Sequence, residues 1–241
     1  MFQIIGIVLL FGLVFGSFIM AGGKMDVIIH AAPHELMAIL GAGVAAFLIA
    51  NSMTVIKATA AGFGKIFAGP KWKNSDVDFI CDTLRMMTMN LEDPHQVEDA
   101  MEKQLEKHHH EAHAPAHALT QLADGLPALG IVAAVLGIIK TMGAITEPPA
   151  VLGGMIGSAL VGTFLGVFMA YGLVGPMATR LAAVVDDDHA FYKIIQAVLV
   201  AHLHGNAAQI SVEIGRGNVP TAAQPSFLEL EEALSQIPNE A

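Results

Sequence analysis

Charged residues are scarce in this chain of 241 residues. Only 14% of them are Asp, Glu, Lys or Arg, whereas 54% are hydrophobic, and the mean hydropathy is +0.58. A soluble domain usually carries about 25% charged residues. This deficit excludes a wholly soluble protein and indicates that part of the chain crosses a membrane.

Cysteine and positive charge are scarce as well. The single cysteine, Cys81, excludes a disulfide within the chain and is typical of a reducing compartment. The formal net charge of −10 argues against a nucleic-acid partner, because proteins that bind nucleic acids present basic faces. The sequence also lacks the G-x-S-x-G, H-E-x-x-H and phosphate-loop motifs, so it predicts no enzyme and no cofactor.

Four apolar runs are present, and each is long enough to cross a bilayer, which takes about 20 residues. They cover residues 1–21, 36–56, 126–145 and 151–185. No basic segment precedes the first run, which therefore predicts a retained helix rather than a cleaved signal peptide. The pattern predicts an all-α polytopic membrane protein with four transmembrane helices and cytoplasmic helical segments.

Lysines near the ends of the runs predict the orientation of the chain, because basic residues favour the cytoplasmic side. Four of them follow the second run without an intervening acid: Lys57, Lys65, Lys71 and Lys73. We therefore expect both termini in the cytoplasm. The predicted division is a transmembrane hairpin (1–56), a cytoplasmic helical region (57–125), a second transmembrane hairpin (126–185) and a cytoplasmic helical tail (186–241).

Polar groups inside the apolar runs are few, and none of the runs has Asp or Glu at mid-depth. Asp26 and Glu35 are assigned to the first loop. Thr163 is the best internal polar candidate, although a threonine often only bonds to the carbonyl four residues earlier in its own helix. Pro127 and Pro176 could form a hinge, or could be an ordinary helix-start proline and an ordinary kink.

Small residues recur at every fourth position of the last run, at Ser158, Gly162, Gly166 and Ala170. Such a stripe allows a second helix to approach closely. It predicts tight helix packing, which is common to many polytopic proteins.

Histidines are concentrated at His108, His109, His110, His113 and His117. His109 and His113 share a helix face and could chelate a metal, but the spacing fixes no third ligand. A solvated or pH-sensitive surface is the favoured interpretation, so no metal site is predicted.

Three segments, "GLPALGIVAAVLG", "LVGTFLGVFMAYGLVGPMA" and "QPSFLELEEAL", resemble MotA, the membrane subunit family of bacterial flagellar stators within the MotA/TolQ/ExbB proton channel family. The resemblance implies a pentameric ring that couples inward proton flow to torque. The ExbB and TolQ relatives, which have three spans, energise envelope transport and provide the alternative function. A structural membrane scaffold without conduction is a third hypothesis.

The resemblance also implies partners and site residues. A MotB-type single-span partner would supply the ion-carrying aspartate, five copies of the chain would surround it in the lipid bilayer, and the ring would act on the rotor protein FliG. Thr163 matches the threonine that faces the partner's carboxylate, and Pro127 and Pro176 match the family's functional prolines. The resemblance places Ala134 at the position where sodium-driven stators carry a threonine. Alanine has no side-chain oxygen, so protons are the expected ion.

One departure from the family lies after the second run. Members carry several dozen further residues there, with the charges that touch the rotor, whereas here "GPKWKNSD" leads directly into "VDFICD". No rotor-contact residue can therefore be carried over. If residues were omitted at Asp76–Val77, their Cα atoms should lie well beyond the about 3.8 Å of a trans peptide.

Overall fold

The computed structural model describes residues 2–69, 94–221 and 223–235, and every regular element within them is helical. These residues divide into two compact units, one formed by 2–69 and 113–183 and the other by the remainder. The elements are α1 (Phe2–Met20), α2 (Met25–Ala50), α3 (Met53–Ala68), α4 (Pro94–Gly143), α5 (Pro149–Val167), a π segment (Phe168–Val174), α6 (Gly175–Leu203), α7 (Ala208–Gly217) and α8 (Phe227–Ser235). The junction at Asp76–Val77 lies outside the described residues.

Within the described residues, four helical stretches are long and apolar enough to cross a membrane: Phe2–Met20, Met25–Ala50, Pro94–Gly143 and Pro149–Leu203. Each contains all or most of one apolar run. The prediction of an all-α protein with four membrane helices is thereby confirmed.

The second membrane helix begins earlier than its apolar run. It starts at Met25 and continues through Pro33 and Glu35 to Ala50, so the assignment of Glu35 to the first loop is wrong. Pro33 and the polar residues around it had made this part of the helix look like a loop. A break then follows, where the Ser52 hydroxyl accepts a hydrogen bond from the Val55 N–H and caps α3.

Pro127 does not begin a helix, as the sequence had suggested, but lies inside α4. Proline has no N–H to donate, so the carbonyl of Ala123, four residues earlier, loses its helical partner. The interpretation of Pro127 as an ordinary helix-start proline is therefore wrong. The helix continues past it to Gly143.

The core of the first unit is formed where α2, α4 and α5 meet. Ile39 and Leu126 are fully buried there, together with Val161 and Leu165. Rings of α1 pack onto this core, since Phe11 meets Phe168 edge to face with their centroids 5.1 Å apart. The helices are therefore fixed relative to one another by apolar packing within this unit.

The second unit contains the beginning of α4 and the C-terminal helices. Val97, Met101 and Leu105 are buried, as their spacing of four predicts. The last helix opens with a capping box: the Ser226 N–H donates to Glu229 Oε2 at 2.8 Å, and the Glu229 N–H donates to the Ser226 hydroxyl. The Ser226 N–H and the Ser226 hydroxyl both donate to Glu229 Oε2, and these two hydrogen bonds lower the pKa of Glu229. The capping box explains why α8 begins within "QPSFLELEEAL".

Candidate functional site

Glycines bring α4 and α5 into backbone contact. A methyl group on Gly130 would lie 2.9 Å from the Gly162 carbonyl oxygen and 3.0 Å from the Gly166 Cα. A methyl group on Gly166 would lie 2.8 Å from both the Gly130 Cα and the Leu126 carbonyl oxygen. Since these neighbours are backbone atoms that side-chain rotation cannot move, the close approach requires glycine at both positions.

The rest of the small-residue stripe lies along the same side of α5. Ser158 is half-buried, and the neighbouring Ala159 meets Gly137 of α4, where an added methyl group would lie 2.7 Å from the Ala159 Cβ. Ala170, in the π segment, is fully buried. The contact between the two helices thus extends from Gly137 to the region of Gly130.

Thr163 lies next to this contact and is half-buried. Within the described part of the chain its hydroxyl makes no hydrogen bond, not even to the Ala159 carbonyl four residues earlier. Other threonines do make that bond, at distances of 2.8 to 3.1 Å: Thr59, Thr120, Thr141 and Thr179. The Thr163 hydroxyl therefore has no hydrogen-bond acceptor among the described residues.

The helix pair offers little other polar chemistry. Ala134 is buried on α4 and contributes no oxygen. Between residues 126–143 and 149–174 the only titratable side chains are Lys140 and Tyr171. These two ranges therefore contain no carboxylate.

A π turn precedes Pro176, for which the sequence left a hinge and an ordinary kink open. The Gly175 N–H donates to the Ala170 carbonyl, five residues earlier, and Pro176 is the second residue of α6. A groove of about 610 Å³ beside this turn is lined by Pro176, Tyr171 and Ala123, among others. Ala123 is the residue whose carbonyl Pro127 leaves without a helical partner, so both prolines affect the backbone around one groove.

The histidine cluster is divided between the two units. In the second unit, the ring centroids of His109 and His189 are 4.0 Å apart, and His109 Nε2 lies 3.7 Å from Asp186 Oδ1. His108 and His110 are exposed, as a solvated surface requires. The role of this cluster stays a prediction.

A different histidine pair lies close to a carboxylate in the second unit. Glu98 Oε2 is 3.8 Å from His95 Nδ1 and 3.7 Å from His204 Nε2. These are ligands of the type that Zn²⁺ accepts. Sequence reasoning missed this group because His204 is far along the chain from the other two residues.

Two family profiles match the chain. One, described as "Motility protein A N-terminal", matches residues 4–95, and the other, the "MotA/TolQ/ExbB proton channel family", matches residues 71–193. Motility protein A of Escherichia coli K12 is 30% identical over 99% of this chain and 97% of its own length. Motility protein A of Salmonella typhimurium is 31% identical over the same shares.

The alignment to the Escherichia coli relative spans 287 positions, more than the 241 residues of this chain. That relative therefore contains residues that have no counterpart here, in agreement with the departure found in the sequence.

Solved structures share the fold. "Structure of C. jejuni MotAB" gives a TM-score of 0.77 at 17% identity and covers 93% of this chain and 98% of that chain. "Structure of the flagellar MotAB stator complex from Bacillus subtilis" gives 0.76 at 20% identity, with 95% and 98% covered. With the profile that matches half of the chain and a relative at 30% identity over nearly all of it, the chain belongs to the MotA/TolQ/ExbB proton channel family.

Proposed function

We propose that this protein is a stator subunit of the bacterial flagellar motor that couples inward proton flow to torque. The observation that carries this proposal is the apolar part of the helix pair, residues 126–143 of α4 together with α5, which is packed tightly at Gly130 and contains no carboxylate. It presents a hydroxyl, Thr163, without a partner in the described part of the chain. The membrane-spanning character, the family and the names of the relatives agree with this function.

The missing carboxylate belongs to a partner under this proposal. A MotB-type protein with a single membrane helix would place an aspartate opposite Thr163. The two solved relatives are named as complexes of MotA with MotB, which supports a partner of this kind. Ala134 offers no oxygen ligand, and this favours protons over sodium.

The partner needs a surface on which to dock. On α4, the apolar side chains of Val132, Val135, Leu136 and Ile139 are exposed in the single chain at helical spacing. Such a face suits contact with a neighbouring helix or with lipid. We propose that it is covered in a homo-pentamer whose five copies surround the partner's helices, with α1 facing the bilayer.

The prolines provide the coupling between ion and movement. Protonation of the partner's aspartate removes a charge, and the backbone around Pro127 and Pro176 then changes shape. The ring steps around its partner, and its cytoplasmic part pushes the rotor protein FliG. The driving force is about 2.3 kcal/mol per charge per 100 mV of membrane potential.

The chain is a multi-pass inner-membrane protein. We propose that both termini are cytoplasmic, with membrane hairpins at 1–56 and 126–185 and cytoplasmic regions at 57–125 and 186–241. The alternative, an ExbB- or TolQ-type energiser of envelope transport, is less well supported, because the profile over residues 4–95 is that of motility protein A.

A deletion strain tests the proposal directly. Cells without this protein should assemble flagella and not swim, and expression of the chain with its partner should restore swimming. Uptake of siderophores should be unaffected. Intact swimming combined with lost siderophore uptake would instead establish the alternative function.

Ion choice gives a separate prediction. Because Ala134 contributes no oxygen ligand and sodium needs several, swimming speed should follow the proton-motive force and ignore external sodium. Speed is measured in tethered or swimming cells over a range of sodium concentrations, with pH and membrane potential held constant. A rise of speed with sodium under these conditions contradicts proton coupling.

A further inference from the structure

A carboxylate of this chain lies directly on the conducting helix pair. A methyl group on Gly162 would lie 2.5 Å from Glu35 Oε2 and 3.2 Å from its Cδ, so the Glu35 side chain packs onto the Gly162 backbone. Gly162 immediately precedes Thr163. Glu35 reaches this position because α2 and α5 pack side by side, as Val27 against Gly157 also shows.

Glu35 lies deep in its membrane helix. It is ten residues after the start of α2 at Met25, which corresponds to about 15 Å along the axis. Gly162 is thirteen residues after the start of α5 at Pro149, or about 20 Å. If both helices begin at the surface of the hydrocarbon layer, which is about 30 Å thick, these distances place both residues inside it.

Glu35 makes no salt bridge with a lysine or an arginine in the described part of the chain. Neither α1 nor α5 contains a titratable residue, and Lys140 is the only one in the membrane part of α4. On α2 itself, His34 is adjacent to Glu35, and His30 bonds to the Asp26 carbonyl at 2.7 Å. Ionisable residues within membrane helices are costly and are generally retained for function.

We propose that Glu35 is an additional proton-binding site of this helix bundle, at the depth of Thr163. Hydronium gives a proton to Glu35 Oε2: one O–H bond of hydronium breaks, one O–H bond forms on the carboxyl, and water remains. The reverse transfer to water restores the carboxylate. Each exchange changes the charge beside the pathway by one unit, so Glu35 adjusts how readily a proton reaches the partner's aspartate. This inference rests on the proposed stator function.

Charge-removing variants test the inference. Proton flux is measured in proteoliposomes that contain the complex with its partner, over a range of pH values on the outer side. Glu35→Gln keeps the size of the side chain but cannot ionise. It should lower flux by about tenfold, because water replaces a proton-transfer group only in part, and should flatten the pH profile. Glu35→Asp should retain the pH dependence.

A matched control removes a carboxylate elsewhere. Glu147 is exposed in the loop before α5, and Glu147→Gln should leave both flux and pH profile unchanged. Wild-type flux with an unaltered pH profile in Glu35→Gln overturns the inference. If the wild-type complex itself conducts no protons, the proposed function fails, and the two failures are thereby distinguishable.

A second test changes Gly162 and keeps the carboxylate of Glu35. Gly162→Ala should displace the Glu35 carboxylate and reduce proton flux. In the double variant Gly162→Ala with Glu35→Asp, the shorter acidic side chain leaves room for the methyl group, so part of the flux should return. Gly157→Ala is the control in the same interface, where the new methyl group meets only the Val27 side chain at 3.2 Å. If Glu35→Gln does not assemble, these variants test whether Glu35 binds protons. Absence of rescue in the double variant, in an assembled complex, contradicts the proposal.

Discussion

Gly166→Ala should abolish swimming. The added methyl group would lie 2.8 Å from the Gly130 Cα and 2.8 Å from the Leu126 carbonyl oxygen. Both are backbone atoms, so α4 and α5 must move apart. Overpacking of this kind usually costs about 1–3 kcal/mol, and displacement of a backbone lies toward the upper end. Under the proposed function, the altered spacing would move Thr163 away from the partner's helix.

The control for this variant lies on the same helix. A methyl group on Gly153 or Gly154 would meet no heavy atom within 4 Å, and Gly153→Ala should therefore swim normally. Swimming is scored in soft agar, and assembly by copurification with the partner. Normal swimming of Gly166→Ala would show that the two helices are not held at the observed distance in the working motor.

Thr163→Val should have the second large effect. Valine keeps the shape of threonine and removes the hydroxyl, so the complex should assemble while proton flux decreases. A buried polar group that loses its partner costs about 1–3 kcal/mol, which corresponds to a decrease of about five- to 150-fold. The measurement is proton flux together with motor torque in assembled complexes.

Thr141 supplies the comparison for Thr163→Val. It is buried on α4, and its hydroxyl is already bonded to the Gly137 carbonyl at 2.9 Å. Thr141→Val therefore removes a bond within one helix and should change flux little. Full torque in Thr163→Val would remove this hydroxyl from the ion pathway.

The membrane helices could be predicted because hydrophobicity over about 20 residues is a strong signal. The stripe of Gly162 and Gly166 was also visible, since small residues at every fourth position must share a helix face. The sequence did not show which helix packs against that stripe, because the position of Gly130 alone does not identify the helix that Gly130 contacts. Close packing could be inferred from the sequence, whereas the choice of neighbours required the fold.

The position of Glu35 inside a helix shows why some features of the fold could not be predicted from the sequence. Pro33 and the polar residues near it resemble a loop, but a membrane helix tolerates proline when neighbouring helices satisfy the freed backbone groups. Pro127 was misread as a helix start for the same reason. Local composition indicates where a helix would break in water, and packing against other helices alters that outcome.

The π segment at Phe168–Val174 has a geometric consequence for the residues that follow it. Its hydrogen bonds join residues five apart, as from Gly175 to Ala170, so each turn accommodates one residue more than an α turn. Conversion of this segment to α geometry would rotate the next residues by about 100° around the helix axis. Pro176 and Thr179 would then point in new directions without any unfolding. The segment between Thr163 and the start of α6 thus contains one residue more than an α-helix of the same number of turns.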